Sequence, residues 1–293
     1  MPLRRTLRNY WRLTKPRIWL LLVFTGTVAM LVSYRENGVA PSIGGVLVCL
    51  VALTLGSASA EVLTNYHDRD IDGKMRRTME RPLPKGEVKP REALLFGLAM
   101  SIPSVLLPLA LISVASAGFM LIGLVDNVVV YSLLAKRRSW LNIVLGGFSG
   151  GMPVLVGYSA VPGANPFAPL AIYMSALVIV WIPTHIWSLA MFCRTDYEAA
   201  KIPMLPVVFG DRVGSVCIAG TSALLAVFSA SIFFFADISI FYTVTALVLG
   251  TVVLAFSAKL ALDKDHKTAW TLFKITGPYL ALIFMALGIT VWF

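Results

Sequence analysis

The residues best suited to chemistry lie between Thr64 and Gly86, in TNYHDRDIDGKMRRTMERPLPKG, a polar stretch within a largely apolar chain. Asp68 and Asp72 are four residues apart, so on a helix both carboxylates project from one face, a single turn apart. Asn65 shares that face, whereas Asp70 points about 200° away from Asp68. Two neighbouring carboxylates repel each other unless a cation sits between or beside them. Oxygen-only donors suit a hard ion, and Mg²⁺ typically combines one or two carboxylates with phosphate oxygens of a substrate. The bases that follow, Lys74, Arg76, Arg77, Arg81 and Lys85, match the remaining charge of a diphosphate. A solvated loop obeying the positive-inside rule would account for those bases alone. It does not account for Asp68, Asp70 and Asp72 at a membrane boundary, since ionisable groups at membrane depth are usually functional.

A second constellation begins at Trp181: WIPTHIWSLAMFCRTDYEAAKIPMLPVVFGDR. His185, Leu189, Phe192 and Asp196 follow helical steps and share a face if one helix persists through them. Asp196 is accompanied by Arg194 and Lys201, and Lys136 and Arg137 emerge nearby from the preceding basic loop. Two acidic sites facing each other across a cavity would clamp a Mg²⁺-bound diphosphate and stabilise it as a leaving group. His185 has two readings. It is either a packing histidine with a satisfied hydrogen bond, or a neutral imidazole available to a metal or haem iron. Trp181 and Trp187 flank it, offering flat apolar faces or serving as interfacial anchors. Asp126, inside an apolar run, needs a partner such as Asn127 or a tyrosine. His67 and His266 are assigned no chemical role.

The elements that must position these groups are membrane spans. Of the 293 residues 58% are hydrophobic and 14% charged, and the mean hydropathy is +0.80, values that exclude an ordinary soluble domain. Crossing the hydrocarbon core takes about 20 apolar residues. Nine spans are expected: Ile18–Tyr34, Ile43–Leu63, Ala93–Leu111, Gly118–Leu134, Asn142–Val161, Phe167–Phe192, Val213–Ala236, Ile240–Leu262 and Trp270–Phe293. The fold expected is therefore all-α and polytopic, one integral-membrane domain over 1–293 with a central cavity. Residues 1–17 form a basic cytoplasmic lead-in, expected to be retained because no small-residue cleavage site follows a short apolar core.

The net charge of +10 is concentrated in alternate loops, which signals topology and anionic lipid rather than nucleic acid. The alternation places the N-terminus in the cytoplasm, the C-terminus outside, and every chemistry-bearing loop on the cytoplasmic face. Cys49, Cys193 and Cys217 show no pairing or metal-ligand spacing. Prolines at 103, 108, 153, 183 and 278 open kinks and cavities. GGFSGG, from Gly146 to Gly151, permits close helix packing or leaves room for a flat substrate or lipid chain.

These segments resemble the membrane-embedded aromatic prenyltransferases of the UbiA type, whose first aspartate motif is N-x-x-x-D-x-x-x-D. Asp68 and Asp72 fit its acids, while Thr64 stands where its asparagine falls and Asn65 comes one place later. The closer likeness is to the branch that farnesylates haem. That branch's D-x-D-I-D, M-x-R-T and R-P-x-x-x-G appear here as DRDID, MRRT and RPLPKG. Tyr131–Gly146 (YSLLAKRRSWLNIVLG), WIPTHIWSLA and DYEAAKIPMLP match further motifs of the branch in order. The likeness covers about Thr14 to Gly210, and the last three spans match in hydrophobicity only. The second aspartate motif is reduced to Asp196 with Glu198 close by, and Thr184 replaces a frequent proline.

The resemblance implies a Mg²⁺-dependent farnesyl transfer from farnesyl diphosphate to a vinyl group of haem b, giving haem O. Asp68, Asp72 and Asp196 would hold the metal. Asn65, Arg77, Arg81, Lys136, Arg137, Arg194 and Lys201 would bind the diphosphate. His185, Trp181, Trp187 and Tyr131 would contact the acceptor, with His185 orienting the haem through its iron or a propionate. The product would pass to haem A synthase or terminal oxidase assembly in a cell membrane. A sister enzyme acting on a quinone precursor or prenylglyceryl phosphate shares the aspartate motif, although the His185 segment argues against it. A transporter would also suit broken spans with buried polar groups, but here the polar residues gather at one face.

Overall fold

The computed structural model describes residues 3–234 and 239–292, and these are helical apart from connections, among them a long one over residues 73–89. An amphipathic helix α1 (Leu3–Leu13) leads into α2 (Pro16–Glu36), α3 (Ile43–Asp72), α4 (Pro90–Leu111) and α5 (Val114–Val125). Helix α5 continues as a π-helical segment over Asp126–Ala135. Then come α6 (Asn142–Gly146), α7 (Phe148–Tyr158), α8 (Pro169–Phe192), α9 (Arg194–Ala199), α10 (Leu205–Ala230), α11 (Ile240–Asp263) and α12 (His266–Trp292). Eight helices among the described residues are continuous and apolar enough to cross a membrane. The chain is thus an all-α, multi-pass membrane protein.

Local chemistry sets the helix starts. Pro16, Pro90 and Pro169 occupy first-turn positions, where a missing N–H costs nothing. The Ser42 hydroxyl caps α3 by accepting from the Gly45 amide at 3.2 Å. Glu92 reaches back to the Lys89 amide at the start of α4.

Four expectations need correction. The fifth span, expected to run unbroken over Asn142–Val161, divides at Gly147 into α6 and α7. The Asp126 carboxylate takes the Ser149 amide at 2.7 Å, and the Ser149 hydroxyl donates to the Gly146 carbonyl at 2.7 Å. Asp126 therefore finds its partner in the α7 backbone, not in Asn127 or a tyrosine. The seventh span begins earlier than Val213, because residues 205–209 are already helical and the chain bends at Gly210 (φ 79°, ψ 173°), a conformation open to glycine. Helix α8 stops at Phe192, so Asp196 lies on the separate short helix α9 and does not continue the His185 face. Ala236 and Phe293, the expected ends of the seventh and ninth spans, lie outside the described residues.

The glycine-rich fifth span packs. A Cβ at Gly151 would press on the Ser175 hydroxyl of α8, and one at Gly157 would overlap the Gly26 carbonyl of α2. Close helix approach is the use of these glycines. Gly150 also borders a half-open cleft lined by Gly56, Ser57, Glu61, Met120, Asn127 and Pro153 among others.

Candidate functional site

Helix α3 extends intact through the acidic stretch to Asp72, so the helical reading of Asp68 and Asp72 holds. Both are almost fully buried, at 1% and 4% exposure, whereas Asp70 on the opposite side is exposed. Lys136, just past the π-helical segment, forms an ion pair with Asp68 Oδ2. Arg81 pairs with Asp72 Oδ2 at 2.7 Å. Burial opposes the charge of Lys136, but Tyr131 and the Asp68 carboxylate beside it hold its pKa above the ordinary lysine value. Arg137 turns the other way, gripping both oxygens of Asp70 at 2.7 Å and the His67 carbonyl at 2.7 Å.

One atom of this cluster lacks a partner. Asp68 Oδ1 is buried and accepts no hydrogen bond among the described residues. A buried, unsatisfied carboxylate oxygen is costly and calls for an explanation. A hard cation is a ligand it fits, because a carboxylate oxygen only accepts and the Asp72 carboxylate shares its helix face.

Asp196 approaches from the far loop, accepting the Arg77 backbone amide at 3.2 Å. The ligand set Asp68, Asp72 and Asp196 is not preassembled, because among the described residues no three acidic, histidine or cysteine side chains gather closely enough to hold a metal. Lys136 and Arg81 close two of the acids, and the Arg77 amide holds the third. Arg194 is bound to Glu198 at 2.7 Å and Asp211 at 2.9 Å. Lys201 is exposed, in a left-handed conformation (φ 56°).

Asn65 connects the site to the lead-in. Its amide donates to the Leu13 carbonyl at 2.7 Å and its oxygen accepts from Arg81 at 3.2 Å. Thr64, at the family's asparagine position, instead bonds Asn127 at 3.0 Å. Sequence reasoning passed over Glu61 and Lys15, which form a 2.8 Å ion pair, each side chain 15% exposed. Burial lowers the Lys15 pKa, with Glu61 opposing that shift. Glu61 lies four residues before Asn65, and that spacing was the available signal.

The rest of the second constellation is organised by α12. His185 Nδ1 meets Thr276 Oγ1 at 2.8 Å, and Trp181 donates to the Thr276 carbonyl at 2.7 Å. Trp181 and Trp187 are buried, and the Trp187 indole N–H has no partner among the described residues. Tyr131 stands with the first site, its ring centroid 5.4 Å from Lys136 Nζ. Thr184, at the branch's proline position, bonds Thr221 at 2.9 Å.

The UbiA prenyltransferase family model matches residues 20–288. A protoheme IX farnesyltransferase of Thermoplasma volcanium is 41% identical over 278 residues, 95% of this chain and 96% of that protein. One of Desulforudis audaxviator is 41% identical, covering 99% and 90%. Among solved structures, a digeranylgeranylglyceryl phosphate synthase superposes with TM-score 0.78 at 18% identity, over 97% of this chain and 98% of that one. A UbiA homologue from Archaeoglobus fulgidus, bound to GPP and Mg²⁺, gives TM-score 0.67 at 19% identity, over 95% and 99%.

Proposed function

The chain belongs to the UbiA prenyltransferase family, and on that premise we propose that it transfers a farnesyl group from farnesyl diphosphate to a vinyl group of haem b. The structural observation that carries the site assignment is the buried Asp68 Oδ1 without a partner. The acceptor follows from the protoheme IX farnesyltransferases of similar sequence and length.

Asp68 and Asp72 would hold Mg²⁺, with Asp196 joining them as the Arg77 loop settles on substrate. Bound there, the ion supplies Lewis-acid neutralisation of a diphosphate leaving group. Lys136 and Arg81, already beside the two carboxylates, orient them and offer cationic donors to phosphate oxygens. Arg77, whose backbone amide meets Asp196, and Lys201, on the connection after α9, would add cationic donors. Arg137 and Arg194, engaged with Asp70 and with Glu198 and Asp211, position those loops. The isoprenoid chain would lie along the cleft bordered by Gly56, Met120 and Gly150, where apolar walls would shield the allylic cation that forms when the carbon–oxygen bond breaks. The vinyl π electrons then attack that cation. Water captures the new cationic centre and loses a proton, giving a hydroxyethylfarnesyl substituent.

The excess of Lys and Arg in the loops carrying these residues supports a cytoplasmic site in a cell membrane, with the N-terminus inside and the C-terminus outside. Handing the product to a haem-modifying enzyme or an oxidase assembly step is consistent with that placement. The test is an acceptor panel with farnesyl diphosphate and Mg²⁺: haem b, a quinone precursor and a prenylglyceryl phosphate in parallel. Product from haem b alone supports the reading. Product only from another acceptor overturns it.

A further inference from the structure

In α8 and α12 a run of aromatic rings is stacked face to face. Phe192 lies on Trp270 at 4.7 Å between centroids, Trp270 on Phe273 at 5.2 Å, Phe273 on His185 at 4.4 Å and His185 on Trp181 at 4.3 Å. The interplanar angles across His185 are 28° and 20°. Both faces of the imidazole are thereby covered, so a ligand can reach this ring only at an edge.

Thr276 closes one edge. Its hydroxyl is 2.8 Å from His185 Nδ1 and also donates to the Phe273 carbonyl at 2.9 Å. A carbonyl oxygen only accepts, and a threonine hydroxyl has a single proton. With that proton on the Phe273 carbonyl, the hydroxyl faces the ring as an acceptor and Nδ1 must carry hydrogen. The ring also bonds the Phe273 carbonyl that accepts from Thr276. With Nδ1–H shared between these two acceptors, Nε2, which has no side-chain partner among the described residues, presents a lone pair. The Thr276 backbone carbonyl also accepts from the Trp181 indole, so one residue fixes both the imidazole and the ring against it.

We propose that Thr276 is a positioning residue that sets the His185 tautomer, so that Nε2 ligates the iron of the haem acceptor rather than a propionate. This rests on the reading of haem as substrate. A propionate carboxylate only accepts hydrogen bonds and is repelled by a lone pair, whereas ferric or ferrous iron takes it. Histidine ligands to metals characteristically donate their second ring N–H to a neighbouring oxygen, and losing that oxygen typically costs about 10- to 100-fold in metal affinity.

The purified protein in lipid nanodiscs is titrated with haem b and with metal-free protoporphyrin IX, reading the Soret band and fluorescence respectively. The wild type should bind haem more tightly than the metal-free ring, with a histidine-ligated Soret shift. Thr276→Val should weaken haem binding about 10-fold or more and leave protoporphyrin binding unchanged, while Thr276→Ser restores the wild-type ratio. His185→Gly should lose the shift and regain it with added imidazole, an arm that decides the matter if Thr276→Val does not fold. Equal affinity for haem and protoporphyrin in the wild type, or equal weakening of both by Thr276→Val, overturns the inference. Haem farnesylation measured in the same preparation keeps the two readings apart. Turnover without a histidine-ligated spectrum removes only the iron ligand, and absence of turnover with haem b removes the proposed function.

Discussion

Lys136 binds one oxygen of Asp68 and leaves the other, Oδ1, buried without a hydrogen-bond partner. The pair is thus incomplete in a directed way: the carboxylate is fixed in place, and its free oxygen is kept from water. Asp72 is held similarly by Arg81 one turn later. A metal site built this way should survive loss of an acid structurally and fail chemically.

Replacing Asp68 or Asp72 by Asn should lower farnesyl transfer by about 10²- to 10³-fold, the range for removing one preorganised electrostatic group. Thermal unfolding of the purified variants checks that both remain folded. Asp70→Asn should cost less than about 10-fold, because its pair with Arg137 is exposed and such pairs contribute about 0–1 kcal/mol.

Lys136→Met should destabilise the protein by about 3 kcal/mol, since it strands the buried Asp68 charge. Millimolar Mg²⁺ should recover part of the lost melting temperature through binding linkage, and more in this variant than in the parent. The Lys136 pKa is raised, so its stabilising contribution is complete below the ordinary lysine value of about 10.4 and disappears only as pH rises through the higher folded value. The destabilisation should therefore stay constant between about pH 6 and about pH 9.

Lys15 and Glu61 should behave as a unit. Each single change, Lys15→Met or Glu61→Gln, leaves a partly buried group without its partner, while the double change leaves none. A double-mutant cycle on unfolding free energy should return a coupling of about 1–3 kcal/mol. A coupling near zero would show that the pair does not tie the lead-in to α3.

Gly157→Ala should destabilise by about 1–3 kcal/mol, because the added methyl meets the Gly26 backbone, which cannot move without shifting α2. Gly118→Ala, at a glycine with open space, is the control and should be neutral or slightly stabilising.

The parts of this protein governed by local spacing were legible in the sequence. The i, i+4 relation of Asp68 and Asp72 and the apolar spans follow from short-range pattern. What escaped depends on contacts between distant segments. Glu61 lies in an apolar span, and its partner Lys15 is about 46 positions earlier in the chain. The division of the fifth span depends on Asp126 capturing an amide from another helix. The end of α8 at Phe192 matches the expected span, but the separate helix α9 that carries Asp196 is set by Arg194 bridging Glu198 and Asp211. Thr276 lies in a span read only for its hydrophobicity, and its role emerges when α12 packs against α8 and meets His185.

Mass spectrometry of the haem product formed in ¹⁸O-labelled water tests the central account most directly. Purified protein is supplied with haem b, farnesyl diphosphate and Mg²⁺, alongside the Asp68→Asn variant and a chelator control. The account predicts a haem heavier by one farnesyl group and one labelled water, present with the parent protein and absent from both controls. An unmodified haem from folded parent protein, or the same product from Asp68→Asn at the parent rate, would contradict it.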